Sequence, residues 1–441
     1  MEPRIFGLTS EYRMTSPAFS GENAPSVGKA TGYPRRPTDF LVNGARLSCA
    51  PGGSSEYATP ECDGARTLVL YEKAGERLVE ERLLAAEQML RENGVPTELL
   101  VVKHNADSVG NTYGCHESYL VQRRVTFHKL AQQLIPFLVT RQVFAGAGKV
   151  LKTRMGTHYY LSQRAQHIYQ EVSGDSRAMI STRDEPHADE EKYRRLQVMV
   201  GDSNMSEFAT YLKVGTTAIV LTMIEDGGIQ RDVALEDPVR ALKEISYDVT
   251  CTRRVKMRGS EKALSAIEIQ REYLESALEY YQSRGRGAEV ADLLEKWQHV
   301  LDRLAEDPMS LNRELDWVMK RTCLTREGCS LDDPRAFEID VQYHDIKRTR
   351  GLYYRMVEAG EVGRVCTGWE VDHALRTPPQ TTRAKIRSDF IAFAKARRRQ
   401  YDVGWSYLRL RAGWQAQTVL LKDPFSSWDP RVEEWFLSAV R

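Results

Sequence analysis

The sequence predicts an α+β protein with a large domain at residues 1–375 and a small C-terminal domain at residues 376–441. Strand-like segments cluster in the first half of the chain and helical periodicity dominates the middle, which favours α+β over a doubly wound sheet. The 441 residues exceed the roughly 100–200 that one compact core usually fills. After Thr377-Pro378-Pro379, a basic helix and a strand-like stretch predict the smaller unit.

Short apolar or alternating runs, bounded by turn residues, predict the strands. A segment rich in Pro, Gly, Ser and Asn, from Thr15 to Asp39, predicts a long loop after the first strand. Further strand-like alternation follows in the small domain, from Gly404 to Leu421. The other predicted strands are Arg4–Leu8, Phe40–Ser48, Leu99–Val102, Lys149–Leu151, Tyr159–Leu161 and Gln197–Val200.

Apolar residues near a 3.6-residue period predict the helices. Gly94 is a plausible residue just past the end of the first helix, and Ser260 a plausible N-cap of the longest. The helices are predicted at Gly75–Asn93, Thr126–Ala145, Ser260–Tyr281, Val290–Ala305, Leu311–Lys320 and from Pro379 to about Arg399.

Composition and charge narrow the class of protein. Apolar residues make up 41% and charged residues 28% of the chain, which is typical of a soluble globular protein. Because 62 basic side chains face 61 acidic ones, no overall field favours nucleic acid or an anionic membrane as partner. The N-terminus lacks a signal-peptide pattern and Lys213–Ile224 is too short to span a bilayer, so we expect a cytoplasmic protein.

Seven cysteines without a CxxC pair predict neither a disulfide framework nor a zinc site.

Gly146–Val150 superficially resembles a phosphate-binding loop. A true P-loop has Gly five residues before its last Gly and Ser or Thr after the Lys, whereas this chain has Val143 and Val150 there. An ordinary helix-to-strand turn is the better interpretation.

Three polar stretches of the sequence are candidate ligand-binding or catalytic sites. The first joins an arginine strand at Asn43–Leu47 to Glu56–Asp63 across a glycine-rich turn, which suits a magnesium–nucleotide site. Charged residues near turns are, however, usually just solvated. The second, Lys103–Tyr119, follows a predicted strand, where sites concentrate. The third runs from Thr182 to Glu207, and its polar groups either bind a ligand or form structural ion pairs.

These stretches closely resemble the Pup–protein ligase family, proteasome accessory factor A. The resemblance is collinear over nearly the whole chain. The matching segments are Arg4–Gly7, Asn43–Leu47, Glu56–Asp63, Asn111–Leu120, Pro136–Arg141, Thr182–Asp189, Gly201–Glu207, Tyr343–Gly351, Thr377–Arg387 and Lys422–Phe425.

The resemblance implies a glutamine-synthetase-like large domain, whose curved antiparallel sheet cradles ATP and magnesium, plus a small C-terminal domain. It implies that ATP phosphorylates the side-chain carboxylate of the C-terminal glutamate of a small disordered Pup-like modifier. A lysine of a substrate protein then forms an isopeptide bond, a pupylation step in proteasomal protein breakdown. Neither nucleic acid nor a membrane is an implied partner.

Four functional positions of the family are retained. The resemblance implies that Arg46, Thr59 and Trp405 contact ATP and that Glu56 binds magnesium. Three family positions depart from the pattern: a magnesium glutamate falls on Thr9, a tyrosine on Ser48 and the catalytic aspartate on Ala50.

The departures leave several hypotheses open. Glu11 shares a strand face with residue 9 and is the candidate replacement metal ligand. Ala50 accepts no proton, although a lysine nucleophile with a pKa near 10.4 needs a base at neutral pH. Candidate substitute bases are Glu11, Glu61 and Asp63. The chain is therefore a ligase with a relocated base, a non-catalytic paralogue that binds nucleotide and modifier, or a ligase for a small amine.

Overall fold

A computed structural model describes residues 4–15, 38–49, 54–95, 97–107, 110–154, 156–229, 231–412 and 415–438. Its strands are β1 Phe6–Thr15, β2 Thr38–Phe40, β3 Arg46–Cys49, β4 Ser54–Ala58, β5 Leu100–Val102, β6 Cys115–Gln122, β7 Lys149–Thr153, β8 Gly156–Tyr160, β9 Gln170–Ser173, β10 Ala178–Ser181, β11 Tyr193–Val198, β12 Arg254–Lys256, β13 Ala263–Ser265, β14 Gln400–Val403, β15 Tyr407–Ala412 and β16 Gln415–Leu420.

Helices fill the middle of the chain and flank the C-terminal strands. They are α1 Ala65–Glu92, α2 Phe127–Thr140, α3 Gln142–Ala145, α4 Glu207–Glu225, α5 Pro238–Tyr247, α6 Ala266–Arg284, α7 Ala288–Glu306, α8 Asp316–Arg326, α9 Pro334–Tyr343, α10 Leu352–Glu358, α11 Gly368–Ala374, α12 Arg383–Ala396 and α13 Pro430–Ser438. The predicted α+β class is confirmed.

The main sheet runs in the order β2-β3-β4-β1-β6-β11-β10-β9, with β5 added beside β1. Its pairings are antiparallel except for β9 with β10. The central strand β1 places Glu11 opposite Glu56 of β4, and Thr9 between Ala58 of β4 and His116 of β6. This register brings separated polar stretches of the sequence onto neighbouring strands.

Two hydrophobic cores lie on either side of residue 375. The larger core draws its buried residues from positions 6 to 374, and the smaller one uses α12, α13 and strands β15 and β16. The domain boundary between residues 375 and 376 stays a prediction. Within the described ranges, no helix is both long and apolar enough to cross a bilayer.

Several predicted bounds were wrong for identifiable reasons. Strand β1 continues past Leu8 to Thr15. Helix α1 starts ten residues before the predicted Gly75 because its first turns bury charged side chains, including Glu72 and Lys73, that interrupt the apolar stripe. Helix α6 is capped by Ser265, whose capping box with Glu268 displaces the predicted N-cap at Ser260.

Candidate functional site

A cavity of about 390 Å³ opens above the centre of the main sheet. Strands β1, β3, β4 and β6 form its floor. The segment between β10 and β11, helix α12 and the turn between β14 and β15 supply its walls. The cavity therefore collects residues from both ends of the chain, and the retained positions Arg46, Glu56, Thr59 and Trp405 all line it.

Arg46 and Glu56 form an ion pair at the edge of this cavity. Arg46 Nη2 donates to Glu56 Oε1 at 2.8 Å, and the two side chains are 29% and 27% exposed. The Arg46 guanidinium also lies 5.6 Å from the centre of the Trp405 ring, a cation–π distance. The site thus presents a cation, a carboxylate and an aromatic face within reach of one ligand.

Glu11 lies on the strand next to Glu56, opposite it in register. Burial raises the pKa of Glu11, and the negative charge of Glu56 adds to that rise. Such a carboxylate pair is stabilised by a divalent cation, which prefers oxygen ligands. Among the residues that the structure describes, no group of three or more His, Cys, Asp or Glu side chains is arranged to hold a metal ion.

Gly114 gives Glu11 the space that it occupies. A Cβ atom at this position would lie 2.8 Å from Glu11 Oε1 and 2.5 Å from His116 Nε2, closer than real side chains approach. Burial, assisted by three nearby arginines, lowers the pKa of His116 to about 4. The imidazole is therefore neutral at pH 7 and able to accept a hydrogen bond or bind a metal.

Thr59 is buried at the end of β4. Its Oγ1 accepts a hydrogen bond from the backbone N–H of Leu8 at 3.1 Å, which fixes the hydroxyl relative to β1. The hydroxyl hydrogen remains the group that Thr59 can offer to a ligand.

Glu61 joins the main sheet to the small C-terminal core. Arg383 Nε donates to Glu61 Oε1 at 2.7 Å, and Arg387 Nη2 donates to Oε2. We call these three residues the Glu61 latch. Burial opposes ionisation, but Arg387 and Arg383 lower the pKa of Glu61 to about 2, so this carboxylate is a poor proton acceptor.

The latch argues against one of the three substitute bases, and position argues against a second. Glu61 is held by two guanidinium groups and has no basicity near neutral pH. Asp63 follows β4 just before helix α1 and does not line the cavity. Glu11 does not line it either, but it lies opposite the cavity residue Glu56 in register and is therefore kept as the candidate. Ala50 lies outside the described residues. At the other departing position, Ser48 Oγ lies 3.4 Å from Glu56 Oε1 and adds an oxygen beside that carboxylate.

Most of the second polar stretch is structural. The buried Lys103 ammonium forms ion pairs with Glu72 and Glu76.

Lys149, in the glycine motif, pairs with Asp340. That motif joins α3 to β7 with Gly148 at a φ of +68°, so the predicted helix-to-strand turn is confirmed.

The third polar stretch divides between the two open interpretations. Arg183, His187 and Arg195 line the cavity, whereas Asp202 and Glu207 are buried in structural hydrogen bonds. These three cavity residues and His116 were not among the predicted site residues. Their polar density was the available signal, but only the fold shows which members face the cavity.

Comparison with known proteins identifies the family. The family model described as Pup-ligase protein matches residues 7–409. A Pup–protein ligase of Kineococcus radiotolerans is 48% identical, over 98% of this chain and 99% of that protein. The solved structure of the ligase PafA in complex with Pup superposes with a TM-score of 0.92 at 33% identity, covering 99% of this chain and 91% of the other.

A second structure, PafA in complex with ADP, gives a TM-score of 0.86 at 34% identity, over 92% of this chain and 90% of the other. A bifunctional glutathione synthetase from Pasteurella multocida shares the fold alone, with a TM-score of 0.51 at 10% identity, over 95% of this chain and 59% of the other. The family-model match, the 48% identity and the near-complete coverage place this chain in the Pup-ligase family of enzymes.

Proposed function

We propose that this protein is an ATP- and magnesium-dependent ligase that joins the C-terminal glutamate side chain of a Pup-like modifier to lysines of other proteins. The observation that carries the proposal is the contact of Arg46 with both Glu56 and Trp405 at the cavity. The relatives support it, because one is a Pup–protein ligase and another was solved with ADP.

The nucleotide is expected to lie between Trp405 and the centre of the sheet. Trp405 offers an aromatic contact beside Arg46 and Arg387, Arg46 a guanidinium for phosphate, and Thr59 a hydroxyl. Arg46 and Glu56 neutralise each other at 2.8 Å without ligand. When the nucleotide and its cation bind, phosphate pairs with Arg46 and the cation pairs with Glu56, so that no charge is left unpaired.

Magnesium would be held by Glu56 and Glu11. Both groups supply the hard oxygen ligands that this ion prefers, and their adjacent positions in register fit one shared cation. When bound, magnesium neutralises phosphate charge and orients the phosphoryl group. Thr9 supplies no carboxylate, so Glu11 is the residue of β1 that we assign to this task.

The proposed reaction has two steps. A carboxylate oxygen of the modifier attacks the γ-phosphorus of ATP, giving an acyl phosphate and ADP. The lysine amine then attacks the acyl carbon, phosphate leaves with the C–O bonding pair, and the amine gives up a proton as the isopeptide forms. Glu11 is the substitute base that we keep, because it lies opposite the cavity residue Glu56 and is not held by arginines as Glu61 is, although binding magnesium would lower its basicity.

A second candidate function is that of a non-catalytic paralogue that binds nucleotide and modifier. Alanine at position 50 and the locked carboxylate of Glu61 favour it, because both remove candidate bases while leaving Arg46 and Trp405 in place. Ligation to a small amine, unprotonated at the working pH, is the remaining alternative. Each candidate keeps the nucleotide site, and they differ in the product formed.

The deciding assay combines the purified protein, ATP, magnesium and a Pup-like modifier with a lysine-bearing protein. A ligase releases ADP and forms a conjugate of lower gel mobility. Nucleotide binding without either product supports the non-catalytic paralogue. ADP release that depends on an added small amine, without a protein conjugate, supports a ligase for a small amine. Absence of nucleotide binding would contradict all three.

Removing either member of the cavity ion pair is expected to weaken nucleotide binding. Arg46→Ala deletes a charge-assisted contact to phosphate and Glu56→Ala deletes a metal ligand, so we expect a loss in ATP·Mg affinity of about 10- to 100-fold. Isothermal calorimetry measures it. Arg240→Ala and Glu244→Ala remove a surface ion pair and serve as matched controls. Unchanged affinity in both cavity variants would refute the assignment.

The metal role of Glu11 is tested by changing charge at constant shape. Glu11→Gln should raise the magnesium concentration needed for half-maximal nucleotide binding by about tenfold, and Thr9→Glu should lower it because it adds a carboxylate on the same strand face. Glu244→Gln is the control. A magnesium titration that is the same for Glu11→Gln and the natural protein would remove Glu11 from the metal site.

A further inference from the structure

Positive charge is concentrated in the last 66 residues of the chain. Residues 376–441 contain 13 Lys and Arg against 6 Asp and Glu, a formal net charge of +7. The whole chain carries only +1, so residues 1–375 are net acidic. The near-neutral total therefore conceals a strongly basic small unit.

The three-stranded sheet β14-β15-β16 has one apolar face and one charged face. Leu408 and Val419 belong to the small core together with Phe390 of α12. Side chains alternate along a strand, so Arg409 and Arg411 lie on the opposite face. There Arg409 Nε donates to Thr418 Oγ1 at 3.1 Å, and Arg411 is exposed.

Three more arginines follow helix α12 and lead directly into β14. Arg397, Arg398 and Arg399 are all exposed, and the next residue, Gln400, pairs in register with Arg411. We call Arg397, Arg398, Arg399, Arg409 and Arg411 the basic face.

Arg398 has a left-handed backbone, with a φ of +49°. It occupies the position just past the helix end, where the N–H of residue 399 bonds to the carbonyl of Ala394, and this position favours glycine. The chain places an arginine where backbone preference alone would select another residue. The helix dipole favours one cation at this end, but its effect is confined to the last turn.

The charges of the basic face are poorly neutralised. The carboxylate of Asp402 lies beside the basic face, with Oδ2 3.9 Å from Arg409 Nη1. For the other four arginines, the described residues provide no ion pair. Some arginines elsewhere have close partners, such as the part-exposed Arg231 with Glu272 and the exposed Arg326 with Glu361. Like charges held together without counter-charges favour binding of a polyanion.

We propose that the basic face binds an acidic polypeptide segment of a partner protein. Arginine forks suit carboxylates, and Leu420, which is 52% exposed, offers an apolar contact opposite Tyr407 in register. Single-stranded nucleic acid needs free aromatic rings for base stacking. Tyr407 is committed elsewhere, because its hydroxyl bonds to Asp402 and its ring lies under Arg409.

The basic face is connected to the catalytic cavity by one hairpin. Trp405 lines the cavity and lies in the turn between β14 and β15. A protein whose acidic segment binds β15 is therefore held beside the cavity. This consequence for ligation rests on the proposed function, whereas the binding itself does not.

Fluorescence anisotropy of a labelled oligoglutamate peptide with the full chain tests the proposal. Arg409→Gln combined with Arg411→Gln should weaken binding about tenfold, and raised salt should weaken binding to the natural protein because the charges are exposed. The double Arg→Lys variant, which keeps the charge, should retain most of the affinity. Arg258→Gln with Arg286→Gln, on the large unit, is the control and should have no effect.

Several outcomes would overturn the proposal. It fails if oligoglutamate does not bind, if the two double Arg→Gln variants behave alike, or if an oligothymidylate of matched charge binds more tightly than the peptide. ATP affinity and thermal midpoint are measured on every variant, so loss of the fold is recognised separately. Because the assay requires no catalysis, its failure is distinguishable from failure of the ligase activity.

Discussion

Replacing Glu61 with alanine is expected to lower the free energy of unfolding by about 3–5 kcal/mol, because the change leaves two buried guanidinium groups without their carboxylate. The Arg383 and Arg387 side chains are 3% and 0% exposed. Their remaining acceptors are backbone carbonyls, such as Gly44 O at 3.0 Å from Arg387 Nη2. Neutral acceptors do not replace the lost charge.

Urea unfolding of the full chain measures this effect. Asp389→Ala is the matched control, because it removes an acidic partner from the same helix, α12, where Asp389 pairs with the part-exposed Lys385. We expect the control to cost no more than about 0.5 kcal/mol. If Glu61→Ala cost as little as the control, the Glu61 latch would not stabilise the fold.

The same latch predicts a dependence of stability on pH. Burial opposes the shift, but the two arginines lower the pKa of Glu61 from 4.5 to about 2 in the folded protein. The folded state therefore favours the charged form. Its contribution is complete above pH 4.5 and is lost as the pH falls towards 2. The stability of the natural protein should decline faster through this window than that of Glu61→Ala.

Ala50→Asp is expected to raise the initial rate of conjugation near neutral pH by about 10²–10⁴-fold if the attacking amine lacks a base in the natural protein. The resemblance places the family's catalytic aspartate at this position, and the substitution restores it in register. Ala50→Asn is the control, because it has the same shape without the basicity.

The pH profile separates the hypotheses. A natural rate that climbs with pH, and is exceeded by Ala50→Asp near neutrality, supports the missing base. A robust natural rate with a plateau at neutral pH contradicts the non-catalytic paralogue and indicates a base elsewhere, for which Glu11→Gln is then the test. If neither protein conjugates a modifier, the ligase assignment fails.

The sequence was informative where local pattern determines structure. Periodicity predicts the type and order of many elements, but no element was predicted at the central strand β6 or at the buried 19-residue helix α4. The glycine motif before Lys149 was correctly interpreted as a turn. Helix α1 was predicted too short because Glu72 and Lys73 are buried as partners of other charges, and a periodicity count treats them as surface residues.

The site shows the same division between local and distant information. Glu61 is a candidate base in the sequence because it lies near position 50, yet its chemistry is set by Arg383 and Arg387, more than 300 residues away. His116 was missed because its approach to Glu11 depends on strand pairing and on the glycine at 114. Such long-range juxtapositions follow only from the folded sheet.

The Glu61 latch also determines which positions would vary first in this gene if selection for catalysis were lost. Arg387 bonds to Glu61 and to the backbone of Trp405, so part of the cavity wall belongs to the folding core. Selection for a folded chain alone would preserve these residues. Arg46 and Glu56 are part-exposed and lack that protection. In descendants of this gene, variation at positions 46 and 56 would therefore reveal loss of function long before variation at 61 or 387.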